Sequence, residues 1–127
     1  MAGRLYEGFV PGRHLIDAYG AGGFRFAEMS HRGSILALPS GIYAWDASAA
    51  VGLTPEDFAS VLAESEAIEL LLIGTGRDIA AVGEPIRARL REAGLRVDVM
   101  QTGAAARTYN ILLAENRRVA AALIAVA

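Results

Sequence analysis

A chain of 127 residues is long enough for one domain with a buried core, and a composition 54% hydrophobic and 20% charged excludes a disordered segment. The net charge of −2, with no basic block, excludes the electrostatic signature of a nucleic-acid binder. All 12 cationic residues are arginines and there is no cysteine, which removes lysine Schiff bases, P-loop lysines, disulfides, thiolate catalysis, sulfur-ligated zinc and iron–sulfur clusters.

Residues 1–12 contain Gly3, Gly8, Pro11 and Gly12 with no sustained period and read as a loose lead-in to a single domain over 13–127. They lack the apolar core of a signal peptide. The longest apolar run, Val119–Ala127, is far short of the ~20 residues a membrane-spanning helix needs. A soluble cytoplasmic protein is expected. His14-Leu-Ile-Asp-Ala-Tyr reads as a short strand, Gly20, Gly22 and Gly23 as a turn, and Phe24-Arg-Phe-Ala-Glu-Met as an alternating strand. Phe24 and Phe26 share one face and Arg25 and Ala27 the other. Ile35-Leu-Ala-Leu is a third strand stopped by Pro39, and Ile42-Tyr-Ala-Trp alternates again, so the first 46 residues read as a β-meander.

Thr54-Pro-Glu-Asp is a helix start, with Thr54 as N-cap, Pro55 in the first turn, and Leu53 and Phe58 placed as a hydrophobic staple. Glu69-Leu-Leu-Leu-Ile-Gly is a continuous apolar run suited to a strand buried on both faces. A helix follows with Pro85 near its start, Ile86, Leu90 and Ala93 on one side, and Gly94 as its stop. Leu95–Met100 is the next strand, making residues 69–100 one βαβ unit. A helix capped by Thr102 then runs to about Arg117. Val119–Val126 is too apolar for a solvated tail; alanine leaves helix and strand both open, and a buried closing strand is the favoured reading.

Two glycine turns stand out. Gly74-Thr75-Gly76 ends a strand as phosphate-binding turns do, although Ile79 occupies the position where a dinucleotide fingerprint wants glycine, and a purely geometric turn is the favoured reading. Thr102-Gly103 opens a helix whose early turns carry Arg107, Thr108, Tyr109 and Asn110. If the strands before these turns are parallel neighbours, the turns flank one crevice at the carboxyl edge of the sheet, where open α/β folds bind ligands. Each residue also has a structural explanation: Thr102 as cap, Arg107 paired with a carboxylate such as Asp78, Tyr109 in the core, Asn110 capping a loop backbone. His14 and His31, without a clear carboxylate partner, do not suggest a metal site. Ser30, Ser34 and Ser40 lie in no nucleophile elbow. Arg25, Arg32 and Trp45 have the composition of an interface patch, with a core Trp45 equally consistent.

Ile16-Asp-Ala-Tyr-Gly, Gly22-Gly-Phe-Arg-Phe, Gly33-Ser-Ile-Leu-Ala-Leu-Pro, Trp45, Glu69-Leu-Leu-Leu-Ile-Gly-Thr-Gly, Met100-Gln-Thr-Gly-Ala-Ala-Ala-Arg-Thr-Tyr-Asn and Ala121-Ala-Leu-Ile-Ala-Val together resemble the Mth938-domain (DUF498) family, from about Ile16 to Val126. That family includes the mitochondrial respiratory complex I assembly factor 3. The resemblance implies an α/β, three-layer, single-domain fold: a central mixed sheet flanked by helices, with an additional β-layer from the N-terminal half. It implies a closing strand at 120–125 antiparallel to the others, and no established cofactor or catalytic residue. Where some relatives carry a cysteine in the Ala-Ala-Arg-Thr-Tyr-Asn stretch, Ala105 or Ala106 stands here, so a redox role there does not apply.

The leading expectation is therefore a non-enzymatic accessory protein that binds a protein partner in respiratory-complex assembly, with no cofactor, no metal, no nucleic acid and room for a homo-oligomer. The rival is a small-molecule, nucleotide or anion binder, open to being an enzyme, that uses the crevice between Gly74–Gly76 and Thr102–Asn110.

Overall fold

The computed structural model describes residues 8–127. In chain order the strands and helices are β1 (Phe9–Pro11), β2 (Ala18–Gly20), β3 (Gly23–Phe26), β4 (Met29–Arg32), β5 (Ser34–Leu38), β6 (Gly41–Trp45), a 3-10 turn (Pro55–Phe58) leading into α1 (Ala59–Ala63), β7 (Leu70–Gly74), α2 (Glu84–Glu92), β8 (Arg96–Met100), α3 (Thr102–Ala114) and β9 (Val119–Leu123). Six strands form an open mixed sheet in the order β1-β6-β5-β9-β7-β8, and β2-β3-β4 form a separate three-stranded sheet.

Side chains alternate between two cores, as the period of a strand requires. Leu36, Leu38, Leu71, Ile73, Ala120 and Ala122 face one way, onto Phe58, Val61, Ile86 and Leu90 from the 3-10 turn, α1 and α2. Ile35, Ala37, Leu72, Ala121 and Leu123 face the other way, onto α3 through Ala105, Ala106 and Tyr109, and onto the small sheet through Phe24 and Phe26. This is the three-layer arrangement implied by the resemblance. β9 is buried along its whole length, and its alanines at 120–122 let layers pack on both faces at once.

Several expectations hold. The Thr54 N–H donates to Asp57 Oδ2 at 2.7 Å in the predicted helix start, Gly94 takes the left-handed conformation at φ 88°, and β7 and β8 are parallel neighbours. The closing strand is antiparallel only to β5; it runs parallel to β7, and it lies at the centre of the sheet. The physical reason is the crossover through α3. The helix carries the chain back to the end of the sheet at which β8 began, so β9 must start from the same end as β7 and β8.

Other differences are local. Phe9–Pro11, assigned to a loose lead-in, pair with β6, while residues 1–7 of that lead-in lie outside the described residues. Only Ala18 and Tyr19 of the expected 14–19 strand lie in β2, which also takes in Gly20, because the Ile16 backbone is bonded to a helix side chain instead. The run from Phe24 to Met29 is not one strand. It folds into a hairpin at Ala27-Glu28, whose φ angles of 50° and 64° are the pair a tight two-residue β-turn demands. The meander also divides: β5 and β6 belong to the central sheet and only β2–β4 to the added layer. α3 stops at Ala114, three residues short of the expected end, where Asn116 turns left-handed at φ 62°.

Candidate functional site

The carboxyl ends of β7, β8 and β9 lie side by side, with Gly74 opposite Met100 on one flank and Leu123 on the other. The two glycine turns therefore meet, as the parallel arrangement requires. What lies between them is a hydrogen-bonded seam. Thr75 N–H donates to the Met100 carbonyl at 3.0 Å, and Thr102 N–H donates to the Gly76 carbonyl at 2.8 Å. Thr102 Oγ1 accepts from Gly76 N–H at 2.9 Å and donates to the Ile124 carbonyl at 2.7 Å. Thr102 is fully buried, so its side chain is a structural knot joining three chain segments. The N-cap of α3 is Gln101, whose Oε1 accepts from Gly103 N–H at 2.8 Å, and not Thr102 as expected. Gly74 is glycine because a Cβ there would come within 2.9 Å of the Thr102 Cα.

The remaining residues divide between two sides of this seam. Thr75 and Gly76 border a cavity of about 670 Å³ together with Val51, Arg77, Asp78 and Val126. Thr75 Oγ1 is already engaged there, donating to the Asp78 carbonyl at 2.8 Å and accepting from Ala80 N–H at 3.0 Å. Gly103, Arg107 and Asn110 border a different cavity of about 360 Å³, with Asp17 and Tyr19. Arg107 is exposed and, among the described residues, forms no ion pair. Asn110 grips the Ile16 backbone at both groups: Oδ1 accepts from its N–H and Nδ2 donates to its carbonyl, each at 2.8 Å. Among the described residues Thr108 reaches only the Met100 sulfur, at 3.8 Å.

Tyr109 is 1% exposed, and its hydroxyl has no hydrogen-bond partner among the described residues. Burial pushes its pKa up to about 12, partly offset by the nearby Arg13 guanidinium. A phenol held this firmly in its neutral form is a core group.

Tyr19 was not singled out from the sequence. Its ring lies over the start of α3, where a Cβ on Gly103 would collide with the phenol oxygen, so the glycine makes room for the tyrosine. An aromatic residue next to a glycine-rich turn gave a faint signal at best. Tyr19 also borders a third cavity of about 550 Å³ on the small sheet, with Phe24, Arg25, His31 and Arg32. This is where the anticipated arginine patch lies, without Trp45. That indole is buried, donates to the Asp57 carbonyl at 2.9 Å and packs edge-on against Phe58 at 5.5 Å. Arg25 donates to Ser30 Oγ at 2.8 Å, and Arg32 is exposed. His14 Nε2 lies 2.9 Å from the Pro11 carbonyl and His31 Nε2 3.1 Å from the Ser34 carbonyl. Among the described residues no three His, Cys, Asp or Glu side chains converge as a metal site would require. No described helix is long and apolar enough to cross a membrane.

Comparison with known proteins matches this geometry to one group. A Bartonella henselae structure, described as an outer membrane protein, is 57% identical with a TM-score of 0.89, covering 92% of this chain and 98% of that one. The solution structure of a Mth938-like domain from Bordetella pertussis is 29% identical with a TM-score of 0.77, covering 88% of this chain and 85% of that one. The mouse NADH dehydrogenase [ubiquinone] 1 alpha subcomplex assembly factor 3 is 28% identical over 120 residues, which is 94% of this chain but only 65% of the mouse protein. The family model described as protein of unknown function (DUF498/DUF598) matches residues 16–124, from the Asn110-gripped backbone at Ile16 to the Thr102-bonded carbonyl at Ile124, and this chain belongs to that family.

Proposed function

We propose that this chain is an accessory protein of respiratory complex I assembly and that it acts in the cytoplasm by holding a protein partner, without turnover of its own. The observation that carries the reading is the similarity to a complex I assembly factor along 94% of the chain. The cavity on the small sheet supports it. Tyr19, Arg25 and Arg32 surround it, and aromatic residues with arginine dominate the energetics of protein interfaces. Two exposed arginines there favour an acidic partner segment.

The test is native co-purification with mass spectrometry. The same complex I subunit or assembly protein should recur with the wild-type chain. An Arg25→Glu/Arg32→Glu variant should lose it while keeping the wild-type melting temperature. Recovery of no recurrent partner, or retention of the partner by the variant, would overturn the proposal.

A second reading rests on Arg107, exposed and without an ion pair among the described residues, beside Gly103 in the 360 Å³ cavity. An anion or nucleotide bound there at 100 times its dissociation constant would add about 2.7 kcal/mol of stability. Thermal melting with phosphate and with nucleotides would reveal it, and Arg107→Ala should remove the shift.

A further inference from the structure

The two edges of the central sheet are unlike. β1 is three residues long and ends in Pro11, which has no amide hydrogen to offer, so that edge is blunted. β8 is five residues long, Arg-Val-Asp-Val-Met, with neither proline nor glycine. Its register with β7 determines which backbone groups are free. Arg96 N–H donates to the Glu69 carbonyl and the Met100 carbonyl accepts from Thr75 N–H, so residues 96, 98 and 100 direct their backbone groups inward, to β7. Val97 and Val99 therefore direct theirs outward. Among the described residues no backbone hydrogen bond meets them on that side.

The side chains of this edge are divided by face. Val97 and Val99 pack toward the α2 side, where they border a cavity of about 400 Å³ with Ile79, Ala80 and Arg87; Ile79 is 66% exposed. Arg96 and Asp98 stand on the opposite face, both exposed, and neither forms an ion pair among the described residues.

We propose that β8 is a dimerisation edge, pairing antiparallel with β8 of a second copy of this chain about a two-fold axis through Val97. Three two-fold registers let the outward groups of β8 meet their own copies. An axis through Asp98 opposes that carboxylate to itself, and an axis through Val99 places Asp98 opposite Met100 and leaves Arg96 beyond the pairing. The axis through Val97 puts Arg96 of each copy opposite Asp98 of the other, twice over. These are non-hydrogen-bonded positions, where Cα atoms come within about 4.5 Å and side chains are closest. In the same register the two Val97 residues exchange N–H···O bonds, and Val99 N–H faces the Leu95 carbonyl of the second copy. Leu95 N–H is already used by the Leu90 carbonyl, so the ladder has four bonds. Charges on an edge strand ordinarily guard against pairing. This alternation rejects registers that oppose like charges and admits one that joins unlike ones, which selects a second copy over an arbitrary strand. The axis is normal to the sheet, so Ile79 and the valines of both copies meet on the α2 side.

Sedimentation velocity and light scattering over roughly 1 to 300 µM, which covers micromolar to submillimolar dissociation constants, read the result. The wild-type chain should shift toward twice its monomer mass. Asp98→Arg and Arg96→Asp should each weaken association at least tenfold, and the double variant R96D/D98R should restore it, since the charges then pair in the reversed sense. Both positions are exposed, and an unchanged urea midpoint at low concentration checks that each variant folds. Amide exchange at Val97 and Val99 should slow as concentration rises. A wild-type chain that stays monomeric overturns the proposal, as does a dimer indifferent to the single reversals. Failure of the double variant to restore association overturns the register.

Discussion

Thr102→Val isolates the seam between the two glycine turns. Valine has the shape of threonine, so the change opens no cavity, but it removes an oxygen that serves two buried partners, Gly76 N–H at 2.9 Å and the Ile124 carbonyl at 2.7 Å. Leaving a buried donor or acceptor unmet costs roughly 1–3 kcal/mol each, so the pair should cost about 3 kcal/mol. For a chain between the small and mid-sized classes of domain, each kcal/mol moves the midpoint by roughly 3–5 °C, hence a fall of about 9–15 °C. Urea unfolding followed by circular dichroism is the assay, and the slope should stay constant because the surface exposed on unfolding does not change. Thr108→Val is the control. Among the described residues its hydroxyl reaches only the Met100 sulfur at 3.8 Å, and its loss should cost under about 0.5 kcal/mol. Thr102→Ser, which keeps the hydroxyl, should recover most of the stability. A loss below about 1 kcal/mol for Thr102→Val, or equal losses at the two threonines, would refute the claim that this oxygen joins the strand ends.

Asn110→Ala deletes both bonds to the Ile16 backbone and should cost about 2 kcal/mol, with faster amide exchange at Ile16 as the local signature. Gly103→Ala should destabilise the wild-type chain by forcing the Tyr19 phenol aside, and should cost less in a Tyr19→Ala background, where the Gln101 side-chain oxygen at 3.1 Å is the remaining tight contact; additive effects in that double-mutant cycle would count against the Tyr19 contact. Tyr109 gives the pH dependence. Its folded pKa of about 12 lies above the ordinary 10.0, so the folded state holds the proton longer. The contribution is complete below pH 10 and is lost as pH rises to 12, by roughly 2–3 kcal/mol. Tyr109→Phe should flatten that decline in urea titrations and change little at pH 7, and an unaltered decline would place the titrating group elsewhere.

Much of the fold was legible because it rests on local chemistry. The apolar run 70–74 has the length and continuity of a strand buried on both faces, and Pro55 and Gly94 mark a helix start and a helix stop through backbone geometry alone. What escaped reading depended on partners distant in sequence. No periodicity shows that the Ile16 backbone will bond to Asn110, 94 residues away, and so will leave the strand short. Ala27 and Glu28 carry no turn signature, and their positive φ angles are imposed by pairing β3 with β4. The direction of β9 follows from the α3 crossover, a connectivity legible in the sequence, and that connectivity overrides the antiparallel direction implied by the resemblance. At the site, the proximity of the two glycine turns was readable from a parallel β7–β8 pair. The seam was not, because it depends on the rotamer of one threonine.

The seam bears on where this protein meets others. Thr75 and Thr102 each commit their hydroxyl hydrogen and one lone pair within the chain, and Asn110 commits one N–H and one lone pair to the Ile16 backbone. Gly74 and Gly103 are glycine because neighbours within the chain fill the space a side chain would take. A motif spent in this way marks the fold, and relatives can share it while binding different partners. The surfaces proposed above for recognition use groups with unspent capacity. Those are the Arg107 guanidinium beside α3, the Tyr19, Arg25 and Arg32 surface of the small sheet, and the outward backbone of β8. The three surfaces differ in chemistry: a cation, an aromatic-arginine patch and a hydrogen-bonding edge. Arg107→Ala, Arg25→Glu/Arg32→Glu and Asp98→Arg therefore interrogate them separately. Because all the altered side chains are exposed, loss of binding in one variant with an unchanged melting temperature assigns that function to a surface without invoking a damaged core.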